Sequence, residues 1–194
     1  MTDNFEKITP KDLRSGLIWY KLANRICKSI ANKYNLKIET VAGIMSALSP
    51  GISWKENVED TIELIKKAND AVVKTYNQNR LKALDILFSD DLDLNVYEYF
   101  FLKKKCGFKT ANFYLNIINP NDKTAVTIDR HILDIFNLTP KAINTNKKYL
   151  ALKALLIAKA LQRNLIPCQY QAIIWKCHKR LKHNTINYEV AVPF

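Results

Sequence analysis

An all-α fold is predicted by three features of this sequence: the spacing of its apolar residues, the scarcity of alternating strand patterns and the small number of helix breakers. Apolar residues recur at intervals of three and four through almost all of the 194 residues. Only 4 glycines and 6 prolines interrupt this pattern, and we interpret the places where they fall as loops between helices. About nine or ten helices are expected.

The first four helices follow in chain order from this spacing. The apolar residues that predict the first two are Leu13, Leu17, Tyr20, Ile26 and Ile30, and then Val41, Ile44, Met45 and Leu48. Residues 54–69 and 80–88 have the pattern of amphipathic helices. The stretches 70–79 and 89–94 are typical of a helix end and a polar loop.

The remaining helices lie in two further regions. Residues 95–136 are predicted to form an aromatic helix, a tight turn at Cys106-Gly107, a helix from Phe108 to Asn119, a loop and a helix starting near Asp129. Residues 147–182 predict two more helices, broken at Pro167 because proline does not continue a helix interior.

The chain is strongly basic, with 30 Lys and Arg residues against 18 Asp and Glu residues and a formal net charge of +12. This balance favours an anionic partner such as nucleic acid, because binding releases counterions. Lysines outnumber arginines 24 to 6, a bias that an AT-rich coding sequence produces without selection for binding. Charge alone therefore leaves nucleic-acid binding and an ordinary solvated surface as alternatives.

No segment has the pattern of a signal peptide or of a membrane span. The N-terminus MTDNFEKITP is polar, and no run reaches the roughly 18 to 20 apolar residues that cross a bilayer. We therefore expect a soluble, cytoplasmic protein, a monomer with no membrane partner. The four cysteines lack CxxC spacing, so we expect reduced thiols, no cofactor and no metal.

Three segments carry a resemblance to a known family. GFKTANFYLNII at 107–118, followed by AVTIDRHILDIF at 125–136, resembles the endonuclease III-like pattern, in which a glycine and Lys-Thr-Ala-Asn open one helix and Val-Asp-Thr-His opens a later one. TVAGIMSALSPGISWKENVE at 40–59 resembles the second helix of that family and the loop after it. Over most of residues 40–136 the chain thus resembles the helix-hairpin-helix (HhH-GPD) DNA glycosylase superfamily.

The resemblance implies one domain over 1–194 with the helix-hairpin-helix glycosylase fold in two packed lobes. A helical lobe of about 36–136 would carry the hairpin motif at 95–119 and the helix of the catalytic aspartate. The segments 1–35 and 137–194 would form the second lobe. DNA is the implied partner. Many members end in a four-cysteine iron–sulfur loop, but only Cys168 and Cys177 lie in that region here, so no cluster is expected.

Lys109 falls on the catalytic lysine of the family. A lysine in the first turn of a helix has the positive end of the helix dipole against its charge, and burial would favour the neutral amine further. A neutral amine can attack the anomeric carbon as the base departs and form a Schiff base. This is the bifunctional glycosylase and AP lyase route of base excision. The alternatives for Lys109 are a phosphate contact and a solvated lysine.

Asp129 falls on the catalytic aspartate of the family and precedes an apolar helical pattern. It is predicted to be an N-cap whose side chain accepts backbone amide hydrogen bonds. Such bonds favour an ionised carboxylate, which could stabilise oxocarbenium-like charge or accept a proton. Plain helix capping is the alternative, because Asp is a preferred cap in any protein.

A further set of residues is expected to contact DNA: Lys103, Lys104, Lys105, Gly107, Thr110, Ser49 and Gly51. The family hairpin usually reads Leu-Pro-Gly-Val-Gly, whereas only the second glycine is kept here, and the three lysines could replace amide contacts with point charges. A solvated basic turn is the alternative. In place of the family glutamine that fills the duplex gap, this chain has Pro50-Gly51, so Trp54 or Ile52 is the candidate wedge, unless the substrate is single-stranded.

Candidates for a base pocket are Trp19, Tyr20, Trp54, Phe108 and His131. For the aromatic residues the alternative is core packing, their commoner use. For His131 the alternative is a packed or hydrogen-bonded imidazole without a catalytic role.

Three functions remain open at this point. The first is a DNA glycosylase that excises a damaged or modified base. The second keeps the fold but changes the reaction, because compact members of the superfamily rich in Lys and Asn resemble phage proteins associated with hypermodified bases. The third is a non-enzymatic DNA-binding module, for which basic charge suffices.

Overall fold

The computed structural model describes residues 3–89, 96, 99, 100 and 107–183. These residues contain eight α-helices and no β-strand, which confirms the all-α class; the expected nine or ten helices slightly exceed this number. The helices are α1 (Pro10–Tyr34), α2 (Ile38–Leu48), α3 (Trp54–Lys67), α4 (Asn77–Leu87), α5 (Phe108–Ile118), α6 (Arg130–Ile135), α7 (Asn146–Leu161) and α8 (Pro167–His183). Short 3-10 helices cover Phe5–Lys7, Ala68–Asp70 and Pro140–Ile143.

Local sequence signals set the starts of several helices. Ser53 and Glu56 form a capping box at α3: the Glu56 amide donates to Ser53 Oγ at 3.3 Å, and the Ser53 amide donates to Glu56 Oε2 at 2.9 Å. Thr145 caps α7 by accepting the Lys148 amide at 3.3 Å. Pro167 is the first residue of α8, where its missing N–H has no cost. The predicted break therefore lies between Leu161 and Pro167.

The chain divides into two compact units. Among the described residues, one unit consists of 3–23 and 115–183, which we call the terminal unit, and the other of 24–114, which we call the central unit. The resemblance had suggested lobe limits near 36 and 136, whereas the units divide after Ala23 and after Tyr114. Lys109 consequently belongs to the central unit and Asp129 to the terminal unit.

The core of the central unit is built around α2. Every residue of α2 from Thr40 to Leu48 is buried, as expected for a helix that is apolar on nearly all sides. It packs against α4 and α3. At Gly43 a side chain would meet Val96 and Ile86 within 3.1 Å, so glycine allows these elements to approach.

The core of the terminal unit is built around α8, which packs against α7 and α6. Tyr170, Ile173 and Ile174 on α8 are at most 1% exposed. Cys168 and Cys177 are buried in the same helix, and burial raises the pKa of the Cys168 thiol to about 12. No helix within the described ranges is both long and apolar enough to cross a membrane.

A buried ion pair joins the first and last helices of the terminal unit. Asp12 in α1 has a fully buried side chain, and its Oδ2 accepts from Arg180 Nε at 3.0 Å and from Thr9 Oγ1 at 2.8 Å. Burial raises the pKa of this carboxyl, but the hydrogen bonds from Arg180 and Thr9 outweigh burial, and the net pKa is lowered. Asp12 therefore stabilises the fold in its ionised form.

Replacing Asp12 by asparagine is expected to lower the free energy of unfolding by about 2 kcal/mol at pH 7, because it removes a buried charge that accepts hydrogen bonds from the partly exposed Arg180. Since the pKa is lower in the folded state, the contribution is complete above about pH 4, the pKa of an unfolded aspartate, and is lost as the pH falls below it. Urea unfolding at pH 7 and pH 3 measures both effects. An equal deficit at the two pH values would contradict this account.

Candidate functional site

Lys109 lies in the first turn of α5, as the sequence predicted. α5 begins at Phe108, and the Gly107 carbonyl accepts the Ala111 amide at 3.2 Å in the first helical hydrogen bond. Gly107 is exposed, and a side chain there would meet no atom of the described residues within 4 Å. Lys109 is half-buried, and Thr110 is buried. The start of α5 thus presents a lysine beside an open backbone, an arrangement that suits contact with an anion.

Ser49 and Gly51 lie in the loop between α2 and α3. Ser49 Oγ donates to the Ser46 carbonyl at 3.0 Å, which holds the Ser49 side chain against the end of α2. Gly51 is exposed and has a φ of 88°, a left-handed conformation that favours glycine. Trp54, the proposed wedge, is the first residue of α3 and is half-buried.

The segment 71–76 supports this loop, a role that the sequence analysis missed. Thr75 Oγ1 donates to the Pro50 carbonyl at 2.9 Å, and the exposed Tyr76 ring lies beside Gly51, 3.3 Å from the position of a Cβ. The Lys74 amide in turn donates to Asp60 Oδ2 at 2.7 Å. The sequence analysis interpreted residues 70–79 as a helix end, and nothing local indicates the distant partners of this segment.

Asp129 caps α6, which confirms the predicted N-cap. Its Oδ1 accepts the Ile132 amide at 3.0 Å, and its backbone is extended. The four preceding residues, 125–128, are all buried, whereas Asp129 itself is partly exposed. The buried segment therefore holds the Asp129 carboxylate in a fixed position at the surface of the terminal unit.

A buried chain of polar side chains lies beside this segment. Tyr20 in α1 donates to Gln171 Oε1 at 3.0 Å, and its hydroxyl is 3.1 Å from Thr127 Oγ1. Asn116 Nδ2 donates to the same Thr127 oxygen at 3.0 Å. Burial raises the pKa of Tyr20, so its phenol keeps its proton. These hydrogen bonds fix the segment that carries Asp129, because Thr127 is two residues before it.

The candidates for a base pocket are distributed over both units. Tyr20 is buried in the chain of polar groups, and the buried Trp19 packs edge-on against Tyr20 and Trp175 with ring centroids 4.6 and 5.8 Å apart. These contacts are those of a core. Phe108 in the central unit is half-buried.

His131 lies two residues after Asp129, in the first turn of α6. It is half-buried, and its ring centroid is 6.0 Å from that of His178 in α8. Burial lowers the pKa of His131, and Arg130, His178 and Lys179 lower it further, whereas Asp129 raises it. A neutral imidazole is thus favoured. Lys103, Lys104 and Lys105 lie outside the described residues, as does most of the segment predicted to form the first hairpin helix; within it, Val96, Tyr99 and Phe100 are described and are helical.

Two substitutions separate the capping role of Asp129 from its charge. Asn caps a helix as well as Asp, so Asp129→Asn is expected to change the free energy of unfolding by less than about 0.5 kcal/mol. Asp129→Ala removes the hydrogen bond to the Ile132 amide and is expected to cost about 1 kcal/mol. Urea unfolding of both variants measures the difference. Equal losses would mean that the charge, and not the cap, stabilises α6.

The chain is similar to a known protein family. No curated protein matches this chain, and no solved structure matches it. The model of DUF7178, described as a family of unknown function, matches residues 1–182. The chain therefore belongs to the DUF7178 family.

Proposed function

We propose that this protein is a DNA glycosylase with associated AP lyase activity, which excises a damaged or modified base. Lys109 is the nucleophile and Asp129 the group that stabilises positive charge on the sugar. The proposal rests on the resemblance of residues 107–118 and 125–136 to the helix-hairpin-helix pattern and on the local geometry of each residue.

The position of Asp129 carries the proposal. Its carboxylate is held by the Ile132 amide at 3.0 Å, on a segment whose four preceding residues are buried. Charge stabilisation requires a group that is already oriented before the reaction, since reorientation would cost part of the gain. The partial exposure of Asp129 leaves this oriented carboxylate accessible to a substrate.

The proposed reaction replaces the base by Lys109 at C1′ and then cleaves the DNA strand. The glycosidic C1′–N bond breaks with its electron pair, which leaves with the base, and the base takes up a proton. The Lys109 amine forms a bond to C1′ and gives one of its protons to the departing base. The C1′–O4′ bond then breaks, O4′ takes the second amine proton, and a Schiff base between C1′ and the lysine nitrogen results. Loss of a C2′ proton then expels the 3′ phosphate by β-elimination. Asp129 stabilises the oxocarbenium-like charge during the first step.

The charge of the chain supports DNA as the substrate. An excess of 12 positive charges favours a polyanion through counterion release. At the start of α5, backbone amides and Lys109 are suited to contact a phosphate next to Gly107, where the described residues leave space.

Borohydride trapping on DNA with a preformed abasic site tests the proposal without knowledge of the base. Wild-type protein is incubated with single-stranded and duplex oligonucleotides that carry the site, and borohydride reduces any Schiff base to a stable adduct. We expect a covalent complex that requires both the abasic site and borohydride. The Asp129→Asn variant should still form this complex, because the base has already departed from the substrate.

An adduct level no higher than that of Lys109→Ala would contradict the Schiff-base mechanism. DNA binding that persists without an adduct would instead favour a monofunctional enzyme, a base-modifying enzyme or a binding module. The two oligonucleotides also show whether a duplex or a single strand is the preferred substrate.

A further inference from the structure

We propose that His131, Asp134 and His178 form a binding site for a divalent transition-metal ion of the zinc type. The sequence analysis expected no metal, because the four cysteines lack the spacing of common zinc sites. The three residues come instead from two helices of the terminal unit, α6 and α8, and the proposal of a metal site does not rest on the proposed glycosylase activity.

The geometry of the cluster favours chelation. His131 and Asp134 are three residues apart on α6 and therefore share one face, and α8 packs against α6 and contributes His178. One potential ligand atom from each residue lies within 4.8 Å of the other two. Ligand atoms around a tetrahedral zinc ion are roughly 3.3 Å apart, given bonds of about 2.0 Å. Side-chain rotations that bring the ligand atoms about 1.5 Å closer together therefore give the separations of a zinc site.

A buried ring nitrogen of His131 supports the proposed site. His131 Nδ1 is buried and has no hydrogen-bond partner among the described residues, and a buried polar atom without a partner costs free energy. Asp134 is 43% exposed and His178 16% exposed, so an ion can enter from the side of the carboxylate.

The types of ligand select the class of metal. Asp129, Arg130 and Lys179 are the charged residues that face His131, and Lys182 Nζ lies 3.3 Å from Asp134 Oδ2. A single carboxylate ligand that is already paired with a lysine disfavours Mg²⁺ and Ca²⁺, which depend on charged oxygen ligands. Two imidazole nitrogens favour Zn²⁺, Co²⁺ or Ni²⁺, whose bonds to nitrogen do not depend on net charge alone. Three protein ligands leave a fourth position for water or a substrate group.

Calorimetric titration with Zn²⁺ and absorption spectra with Co²⁺ test the site on the full chain, freed of any affinity tag. We expect one ion per chain and cobalt d–d bands without the intense thiolate charge-transfer band that a cysteine ligand would give. His178→Asn and Asp134→Asn should each weaken zinc binding at least ten-fold. His183→Asn, which changes the remaining histidine of the chain, at the end of α8, is the matched control and should bind like the wild type.

A variant with increased zinc affinity excludes misfolding as the cause of the effects, because a misfolded chain would not bind zinc more tightly. Lys182→Met removes the ammonium group that competes for Asp134 and should tighten zinc binding several-fold, because the ion no longer displaces a cation. Absence of binding by the wild-type chain, a thiolate charge-transfer band, or equal affinity of wild type and His178→Asn would overturn the proposal.

Discussion

Replacing Lys109 by alanine is expected to lower the yield of the borohydride-trapped DNA adduct at least about 100-fold, because the loss of a covalent nucleophile removes the intermediate itself. Lys109 is half-buried in the first turn of α5, so its truncation changes only a small part of the core. Denaturing gel electrophoresis of the trapped complex measures the yield, and urea unfolding checks that the variant is folded.

Two control variants distinguish a nucleophile from a phosphate contact. Lys109→Arg keeps the positive charge, but a guanidinium stays protonated and forms no Schiff base; we expect it to bind DNA like the wild type and to give no adduct. Lys55→Ala removes a lysine at the second position of α3, which matches the place of Lys109 in α5, and Lys55 is 71% exposed. Full adduct yield from Lys109→Arg, or its loss in Lys55→Ala, would contradict the role of Lys109.

Replacing Gly16 by alanine is expected to lower the free energy of unfolding by about 2 kcal/mol or more. A Cβ at Gly16 in α1 would lie 2.5 Å from Ile173 Cγ1, 2.6 Å from Ile173 Cα and 2.7 Å from the Ile173 amide nitrogen. Two of these atoms belong to the backbone of α8, so no side-chain rotation relieves the overlap. Alanine would gain up to about 1 kcal/mol in helix propensity, but the overlap outweighs this gain.

Gly107→Ala is the control for this experiment, since a side chain there meets no atom within 4 Å in the part of the chain that the structure describes. Its stability is expected to stay within about 0.5 kcal/mol of the wild type. Chemical unfolding of both variants measures the difference in midpoint. A Gly16→Ala variant that is as stable as Gly107→Ala would show that α1 and α8 do not need the close approach.

Local signals in the sequence predicted the elements that depend on neighbouring residues. Asp129 was expected to cap a helix because it precedes apolar residues at helical spacing, and its bond to the Ile132 amide confirms this. The helix over 54–69 is observed at Trp54–Lys67, started by the Ser53 and Glu56 capping box. The helix over 80–88 begins earlier, at Asn77.

Features that depend on distant partners were not predictable in this way. His131 and His178 lie far apart in sequence, and only the packing of α6 against α8 brings them together. The contact of Gly16 with Ile173 has the same origin. The role of Thr75 and Tyr76 beside Pro50 and Gly51 depends on tertiary contacts, for which periodicity and turn propensity hold no information.

The most direct test of the proposed function is to locate the residue that carries the reduced DNA adduct. The trapped complex is digested with nuclease and protease, and mass spectrometry identifies the modified peptide. We predict that the sugar remnant is attached to the side-chain nitrogen of Lys109. Attachment to another lysine or to the N-terminal amine would contradict the assignment of Lys109 as the nucleophile.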